Sequence, residues 1–314
     1  MRVFVAGATG AVGRRLVAQL IKADHEVVGA TRSESKRQEL WSLGAEPVVV
    51  DALDATAVGE AVAKAAPDVV VHQLTALAGT KSLRNFDRAF AATNALRTVG
   101  TDNLLAAARA CGVRRFIAAS YTGWPYARTG GAVKTESDPL DSHPVAQQRV
   151  SLAAIKHLED ATLRAPLAGV VLRYGMFYGP GASDEMIAAI RKRMLAIVGD
   201  GGGVWSMLHI DDAAGAVVAA LDGGEGVYNI VDDDPAPTRE LIPALAEIVG
   251  AKPPRHVPVW LGRLLAGEAV VSMLTQARGA SNAKAKRELH WTPTWPSWRD
   301  GFRHGLSDVQ KMRG

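Results

Sequence analysis

The chain has 314 residues, a hydrophobic content of 48% and a formal net charge of +4 at pH 7. Its length allows one large or two unequal lobes, and its dispersed positive charge does not indicate a nucleic-acid partner. Its single cysteine, Cys111, excludes an internal disulfide bond, and no segment is long and apolar enough to suggest a membrane span, so we expect a cytoplasmic protein.

The first predicted strand is followed at once by a glycine-rich turn and an amphipathic helix. Gly7, Gly10 and Gly13 stand in this turn with the spacing GxxGxxG. The first permits a tight turn, the second lets the backbone approach a pyrophosphate, and the third lets the helix pack on the sheet. Free backbone N–H groups near Ala11 and Val12 favour an anion at the start of the helix. The pattern therefore predicts a dinucleotide site.

Strand and helix patterns alternate along the first half of the chain. The predicted strands are residues 3–6, 26–30, 47–50, 69–74, 115–119 and 169–172. The predicted helices between them are residues 12–23, 34–43, 56–65, 86–110 and 145–164. This alternation predicts an α/β fold with a doubly wound parallel sheet of Rossmann type and a ligand crevice at the carboxyl ends of its strands.

The alternation loosens past residue 173, where Pro and Gly become frequent and two helices, 184–197 and 258–276, stand among loops. We therefore expect residues 1–173 to form a dinucleotide-binding domain. Residues 174–314 are expected to form a smaller substrate lobe, with one strand near 227–231 returning to the main sheet.

The end of the second predicted strand indicates which nicotinamide cofactor is bound. Sites that prefer NAD usually place an acidic residue there, about twenty positions after the glycines, to hold the ribose hydroxyls. This chain has Thr31, Arg32 and Ser33 instead. A planar guanidinium suits a 2′-phosphate, so we expect NADP rather than NAD. The alternative for Arg32 is a solvated loop residue.

The glycine spacing resembles the extended and atypical short-chain dehydrogenase/reductase superfamily, which includes NAD-dependent epimerases and dehydratases. The resemblance continues in order along nearly the whole chain. It implies that Asp51 contacts the adenine amino group beside Ala52, although Asp51 could instead cap a helix. The residues expected to contact the cofactor are Gly7, Thr9, Gly10, Ala11, Val12, Gly13, Arg32, Asp51, Ala52, Leu74, Thr75, Ala76, Lys156, Tyr174 and Met176.

The catalytic pattern of the superfamily is incomplete in this chain. Its members carry a Tyr four residues before a Lys on one helix face, and the Lys holds the nicotinamide ribose and favours the phenolate. Lys156 matches that lysine, but Leu152 stands in the tyrosine position. Tyr121, at the end of the fifth strand, is the candidate to replace the tyrosine, assisted by Thr122 or Ser120. The alternatives are that Tyr121 is a core residue and that acid–base chemistry by tyrosine has been lost.

The second half carries further matches to the superfamily. Arg173, in VVLRYGMFYGPG, is expected to be structural. The spacing of His209, Asp211 and Asp212 excludes a metal site and favours helix capping, and no other metal site is expected. The basic residues Arg278, Lys284, Lys286 and Arg287 suit either a nucleotide diphosphate or a solvated helix face.

An apolar helix over 260–276 and two tryptophans, Trp124 and Trp205, favour a substrate less polar than a sugar nucleotide. We therefore expect an NADP-dependent oxidoreductase that acts on a carbonyl or a secondary alcohol of a small molecule. The alternatives are a sugar-nucleotide epimerase or dehydratase, which borrows and returns the hydride, and a non-redox enzyme or NADP(H)-binding regulator. The resemblance also implies a homodimer through helices 86–110 and 145–164.

Overall fold

A computed structural model describes residues 1–77 and 83–306 of the chain. Its strands are β1 (Arg2–Ala6), β2 (Glu26–Thr31), β3 (Glu46–Val49), β4 (Val69–His72), β5 (Arg115–Tyr121), β6 (Val133–Lys134), β7 (Ala168–Tyr174), β8 (Met176–Tyr178), β9 (Ile197–Val198), β10 (Val204–Trp205), β11 (Met207–His209), β12 (Gly226–Ile230), β13 (Ala236–Pro237), β14 (His256–Val257) and β15 (Gly279–Ala280).

The helices are α1 (Ala11–Lys22), α2 (Arg37–Ser42), α3 (Ala55–Ala65), α4 (Phe86–Ala89), α5 (Ala91–Ala95), α6 (Thr101–Ala110), α7 (Arg149–Arg164), α8 (Asp184–Arg191), α9 (Ile210–Ala219), α10 (Thr238–Ile248), α11 (Val259–Ala266), α12 (Glu268–Gln276), α13 (Ala283–Glu288) and α14 (Trp298–His304). A π-helical turn, Leu96–Gly100, joins α5 to α6, and 3-10 turns lie at Glu34–Lys36 and Ala146–Gln148.

The main sheet is parallel throughout, with the strand order β12-β7-β5-β4-β1-β2-β3. Chain direction across the sheet reverses between β1 and β4, and ligands of open α/β sheets bind at such a switch point. The predicted Rossmann-type fold is confirmed. Among the described residues, none of the helices combines the length and apolar character that crossing a bilayer requires.

Helices cover both faces of this sheet, which explains the continuous apolar runs of its strands. On β1, Val3 and Val5 pack into a cluster with α1 and α9, while Phe4 and Ala6 pack into a cluster on the opposite face. A third apolar cluster lies outside the sheet and includes Trp205, Leu241 and Trp298 from the second half of the chain.

The strand expected near 227–231 is β12, which pairs in parallel with β7 at the edge of the main sheet. Helix α9 also packs beside α1, where Arg15 forms an ion pair with Asp211 at 3.1 Å. The second half of the chain therefore contributes both a strand and a helix to the first. Residues 307–314, the end of the expected substrate lobe, lie outside the described residues.

Several predicted element bounds are wrong, for local reasons. The helix predicted over 86–110 is interrupted at Phe90 and then widened by the π-helical turn. The helix predicted over 258–276 is broken at Gly267, whose φ of 90° does not fit a right-handed helix. Strands β5 and β7 each run two residues further than predicted, so Tyr121 and Tyr174 are register partners within the sheet.

Candidate active site

The turn between β1 and α1 carries three glycines, and at two of these positions there is no room for a larger residue. Gly7 has a φ of 91°, and a Cβ there would lie 2.8 Å from the carbonyl oxygen of Gln73. A Cβ on Gly13 would overlap the carbonyl oxygen of Gly7. Gly10 precedes the first helical residue, and its N–H donates to Gly7 O at 3.0 Å. The turn is therefore held tightly between the sheet and the start of α1, as a close approach of phosphate to backbone requires.

A cavity of ≈ 290 Å³ opens beside this turn. Apolar residues and backbone form much of its wall, and hydroxyl and cationic side chains stand at the second strand. It is lined by Phe4, Ala6, Gly7, Thr9, Gly10, Ala30, Thr31, Arg32, Ser33, Lys36, Val50, Ala52, Val58, Gln73, Leu74, Thr75 and Leu104. An apolar slot next to a glycine turn fits the adenosine half of a dinucleotide.

The cationic side of the cavity is formed by the residues that follow β2. Arg32 is exposed, and no described residue pairs with its guanidinium. Lys36 is 3.8 Å from the carboxylate of Glu39, a loose contact at the surface. The hydroxyl of Thr31 lies 3.2 Å from that of Thr9 and accepts from the N–H of Ser33. Among the described residues that line the cavity there is no carboxylate.

Three of the predicted cofactor residues, Ala11, Val12 and Gly13, belong to the first turn of α1, where a helix leaves backbone N–H groups without intrahelical partners. Asp51 is exposed and does not line the cavity. Its carboxylate accepts from Leu53 N at 3.0 Å and so stabilises the turn. The helix cap considered for this position is instead Asp54, which accepts from Ala57 N at 3.0 Å.

Three other predicted residues also lie outside the cavity. Ala76 donates its N–H to the Thr93 hydroxyl at 3.0 Å. Tyr174 is buried, and its hydroxyl accepts from the amide of Gln73, a residue that does line the cavity. Met176 lies beside Tyr121 instead. The contribution of Gln73 was not predicted, because an amide directly after a buried strand has no distinctive sequence pattern.

Three hydroxyl groups follow one another at the end of β5, and two of them are engaged. Ser120 donates to Glu159 at 2.6 Å, and the buried Thr122 donates to Asn229 Oδ1 at 3.2 Å. The hydroxyl of Tyr121 makes no hydrogen bond to a described residue, and its side chain is only partly buried. Of the predicted catalytic hydroxyls, that of Tyr121 is the one available to a ligand.

The surroundings of Tyr121 are mainly apolar and aromatic. Burial raises the pKa of its hydroxyl to about 12, while the nearby charge of Arg97 acts in the opposite direction. A small cavity of ≈ 20 Å³ adjoins it, lined by Tyr121, Thr122, Gly123, Trp124, Met176, Val204, Trp205, Ser206, Met273 and Ala277. At neutral pH this tyrosine is therefore a protonated hydroxyl set in a wall suited to flat, apolar groups.

The structure does not bring Lys156 into contact with Tyr121. The ammonium of Lys156 donates to the carbonyl oxygen of Asp141 at 3.0 Å. With Leu152 and Arg149 it lines a separate cavity of ≈ 380 Å³. Leu152, in the expected tyrosine position, is buried in the apolar cluster of the second half of the chain.

Helix α7 meets the sheet through Glu159. Its carboxylate accepts from Arg173 at 2.6 and 2.8 Å, a buried bidentate pair, as well as from Ser120. Arg173 also donates to the hydroxyl of Tyr126 at 3.0 Å. Arg173 is therefore structural, as expected, because its guanidinium fastens α7 beneath the ends of β5 and β7.

Arg97 is a charged residue near Tyr121 and Glu159 for which the sequence predicted no role. It lies in the π-helical turn between α5 and α6, and only 6% of its surface is exposed. The turn packs against α7, and its Leu96 O hydrogen-bonds to His72 of β4, so no local pattern marks Arg97 as an interior residue. Burial lowers its pKa to about 10, and the negative charge of Glu159 acts in the opposite direction. The guanidinium is therefore a cation at neutral pH.

His209 and the two acids after it cap and fasten α9. His209 Nδ1 accepts from Asp211 N at 3.2 Å, and Asp212 accepts from Thr294 N and Trp295 N. Within residues 1–77 and 83–306, the structure places no three His, Cys, Asp or Glu side chains where they could hold a metal ion.

The basic residues near the end of the chain are engaged with the protein itself. The contacts are Arg278 with Arg128 O, Lys284 with Val227 O, Lys286 with Asp233 and Arg287 with Glu288. These contacts favour a structural role over the binding of a nucleotide diphosphate, which would have to replace them.

The sequence model of the NAD dependent epimerase/dehydratase family matches residues 3–230 of this chain. The chain is 44% identical to 3-diazoavenalumate denitrifying reductase of Streptomyces sp, over 96% of this chain and 99% of that protein. It is 29% identical to 2-alkyl-3-oxoalkanoate reductase of Stenotrophomonas maltophilia, over 80% of this chain and 76% of that protein. A human epimerase family protein solved with NADPH shares the fold, with a TM-score of 0.76, 19% identity and coverage of 98% and 100% of the two chains.

Proposed function

The chain belongs to the NAD dependent epimerase/dehydratase family and is a nicotinamide-dependent oxidoreductase; we propose that it is an NADP-dependent reductase of a small molecule. The observation that carries the choice of NADP is the cavity beside the glycine turn, where Arg32 and Lys36 stand at the end of β2 and no described lining residue is acidic. A ribose 2′-phosphate suits two cations, whereas a free ribose hydroxyl pair suits a carboxylate.

Different residues of the chain would hold different parts of the cofactor. The glycine turn and the first N–H groups of α1 would hold the pyrophosphate, and Ala52 and Leu74 would enclose the adenosine. When bound, NADPH supplies a hydride. The proposed ribose contact of Lys156 would use the donors that remain, because an ammonium has three N–H donors and Asp141 O takes one of them.

The first candidate reaction is the reduction of a carbonyl group. Tyr121 would donate its proton to the substrate oxygen as that oxygen gains negative charge. Its raised pKa keeps the proton in place at neutral pH, and the absence of a described hydrogen-bond partner leaves the hydroxyl available. The relative from Stenotrophomonas maltophilia, whose name denotes reduction of an oxoalkanoate, supports this candidate.

The second candidate is reductive removal of nitrogen from a diazo compound, which the relative from Streptomyces supports by its name. A hydride that adds to the carbon of an aryl diazonium group displaces N₂, which leaves with the bonding electron pair, and the product is the arene. This reaction balances without a proton from the protein. The buried, apolar Leu152 in the expected tyrosine position is the observation that favours it.

A single experiment separates the two candidates. NADPH oxidation is followed at the nicotinamide absorbance band with β-keto acids and, separately, with 4-hydroxybenzenediazonium, and N₂ release is measured in parallel. Carbonyl reduction predicts that Tyr121→Phe lowers kcat by about 10²- to 10³-fold with little change in KM. Denitrification predicts an unchanged kcat in that variant.

Tyr228→Phe is the matched control, because the hydroxyl of Tyr228 bonds to Glu225 and Glu288 and does not line the cavity beside Tyr121. Tight NADP⁺ binding without turnover on either substrate class would refute both candidates. That result would favour an enzyme that borrows and returns its hydride, or an NADP(H)-binding regulator.

We also propose that the protein acts in the cytoplasm as a homodimer. Val99, Val150 and Leu163, on the π-helical turn and α7, expose 47%, 59% and 42% of their surface, which supports an interface there. Light scattering after size-exclusion chromatography tests this, and a monomeric mass at micromolar concentration would contradict it.

A further inference from the structure

Helix α11 turns its largest apolar side chains away from the protein. Its inner side approaches β9 closely at Gly262, where an added Cβ would lie 3.0 Å from Val198 Cγ1. Trp260 and Leu264, four residues apart, share the outer side, and Leu265 lies beside them. All three are exposed. The outer side of α11 is therefore an apolar surface that no described residue covers.

The surroundings of α11 are built from two segments, residues 191–198 and 252–266, which together we call the α11 surface. Strand β9 of the first segment pairs with β14 of the second, and Arg193 Nε donates to Pro253 O at 2.9 Å. Five large apolar side chains of the described residues expose 60% or more of their surface, and four of them lie here: Met194, Trp260, Leu264 and Leu265. Such a concentration marks an interaction site.

The charge of the α11 surface has one sign. Arg263 forms an ion pair with Glu268 of α12 at 2.7 Å, but Lys192, Lys252 and Arg255 are exposed, and none of them pairs with a carboxylate of a described residue. The two segments contain no Asp or Glu and six basic residues, which are Arg191, Lys192, Arg193, Lys252, Arg255 and Arg263. Cations around exposed apolar side chains indicate an anionic partner.

This charge discriminates between the possible partners. A second copy of the chain would bring the same six cations to the interface, and like charges that face each other are unfavourable. Residues 78–82 and 307–314, which lie outside the described chain, carry Lys81, Lys311 and Arg313 against one acid, Asp308, and so do not complement the surface. Tryptophan and leucine beside basic residues are typical of elements that lie in the interface of an anionic membrane.

We propose that the α11 surface docks the protein on a membrane that contains anionic lipids. The four exposed apolar side chains would enter the boundary between head groups and acyl chains, and the cations of the two segments would face the lipid phosphates. A bilayer needs no matching shape, so apolar side chains on two separate segments can enter it together. The proposal does not depend on which reaction the cofactor site catalyses.

Sedimentation with vesicles tests the proposal. The full chain is mixed with vesicles of phosphatidylcholine alone, or of phosphatidylcholine with phosphatidylglycerol, and the bound fraction is measured as lipid is added. We expect binding to the mixed vesicles that weakens as salt increases, because salt screens the charges. Binding to phosphatidylcholine alone should be at least about tenfold weaker. Absence of binding to the mixed vesicles at low salt would overturn the proposal.

Replacement of the apolar side chains tests whether they enter the bilayer. The double variant Trp260→Ser, Leu264→Ser should lower the partition coefficient at least about tenfold, because both side chains lose their burial in lipid. Trp41→Ser is the matched control, since Trp41 on α2 exposes the same 67% of its surface as Trp260. It should leave the partition coefficient unchanged.

Replacement of the cations tests the attraction to anionic lipid. Lys192→Gln combined with Arg255→Gln should lower the partition coefficient about 10- to 30-fold. Lys64→Gln combined with Arg109→Gln makes the same change of charge at exposed positions on α3 and α6, and should have little effect. Equal losses in the two double variants would show that only the net charge matters and would overturn the assignment to the α11 surface.

Lipids brominated in their acyl chains locate the inserted tryptophan, because they quench the fluorescence of an indole that reaches them. Quenching should persist in Trp41→Ser and be lost in Trp260→Phe, which keeps an aromatic ring and should still bind. Quenching that persists in Trp260→Phe, or wild-type binding by the Trp260→Ser, Leu264→Ser variant, would overturn the proposal.

Two measurements without lipid complete the experiment. Urea unfolding of every variant shows that a loss of binding does not arise from misfolding. Light scattering measures the mass of the wild type and of the Trp260→Ser, Leu264→Ser variant. A dimer that becomes a monomer in this variant would assign the α11 surface to a second copy and would also overturn the proposal.

Discussion

Replacing Arg32 with Ala should weaken the preference for NADP⁺ over NAD⁺ without disturbing the fold. Arg32 is exposed at the end of β2, no described residue pairs with it, and it lines the cofactor cavity. Its removal therefore takes nothing from the folded protein itself, and any change in cofactor affinity reports on the cofactor contact. Lys36, the second cation at this position, already lies near Glu39 and is expected to contribute less.

The magnitude follows from the kind of contact. A hydrogen bond to a charged group contributes about 1.5–3 kcal/mol, and solvent screening at an exposed site favours the lower end. About 1.4 kcal/mol corresponds to a tenfold change in Kd. We therefore expect the Kd for NADP⁺ to rise about tenfold in Arg32→Ala, and the Kd for NAD⁺ to stay within about twofold of the wild type.

Calorimetric titration of both cofactors into both proteins measures this, at two salt concentrations, because screening should weaken the arginine contact as salt increases. Equal losses for NAD⁺ and NADP⁺ would show that Arg32 acts on the shared part of the cofactor. No loss for either would return Arg32 to the alternative of a solvated loop residue. Either result would refute the argument for NADP.

Two stability predictions accompany it, both measured by urea unfolding. Gly13→Ala should lower the free energy of unfolding by about 1–3 kcal/mol, because its Cβ would overlap Gly7 O. Gly59→Ala in α3, where a Cβ meets nothing within 4 Å, should raise the free energy of unfolding by about 0.5–1 kcal/mol. Equal effects of the two substitutions would contradict the packing argument. The pKa of His72 is about 4 in the folded protein, against the ordinary value of 6.5 expected for the unfolded chain. As the pH falls, the unfolded chain therefore takes up a proton at His72 before the folded protein does. The stability that is present above pH 6.5 is lost progressively as the pH falls to about 4. This loss should be about 3 kcal/mol and absent from His72→Gln, and parallel pH profiles of the two proteins would refute it.

The sequence predicted the sheet, the glycine turn and the class of enzyme because each depends on local patterns. Valine-rich strands and the GxxGxxG spacing can be recognised without knowledge of tertiary contacts. The relatives named as reductases confirm the prediction of an oxidoreductase, and the family match confirms the resemblance. The individual cofactor and catalytic residues stay predictions, with Tyr121 and Arg32 the best supported by the geometry.

What could not be predicted depends on side chains that meet across elements. The sequence spacing favoured Lys156 as the cation of the site, but its ammonium contacts Asp141 O, which lies in the preceding loop. Arg97 is buried in a turn that packs against α7 and bonds to His72 of β4, and a charged residue in a helical segment resembles a surface residue until such contacts are known. The ends of β5 and β7 were underestimated because they are set by pairing between strands: Tyr121 pairs with Tyr174, and Tyr174 also pairs with Ile230 of β12.

The return of β12 to the sheet has a consequence for how the protein is made. During synthesis the cofactor half emerges first, but β7 keeps an unpaired edge until residue 230 has left the ribosome, because β12 is its outer neighbour. The same delay applies to α1, whose partner α9 also comes from the second half. An open strand edge invites pairing with other chains. A fragment that ends at residue 173 should therefore aggregate, because it lacks the strand that covers this edge of the sheet.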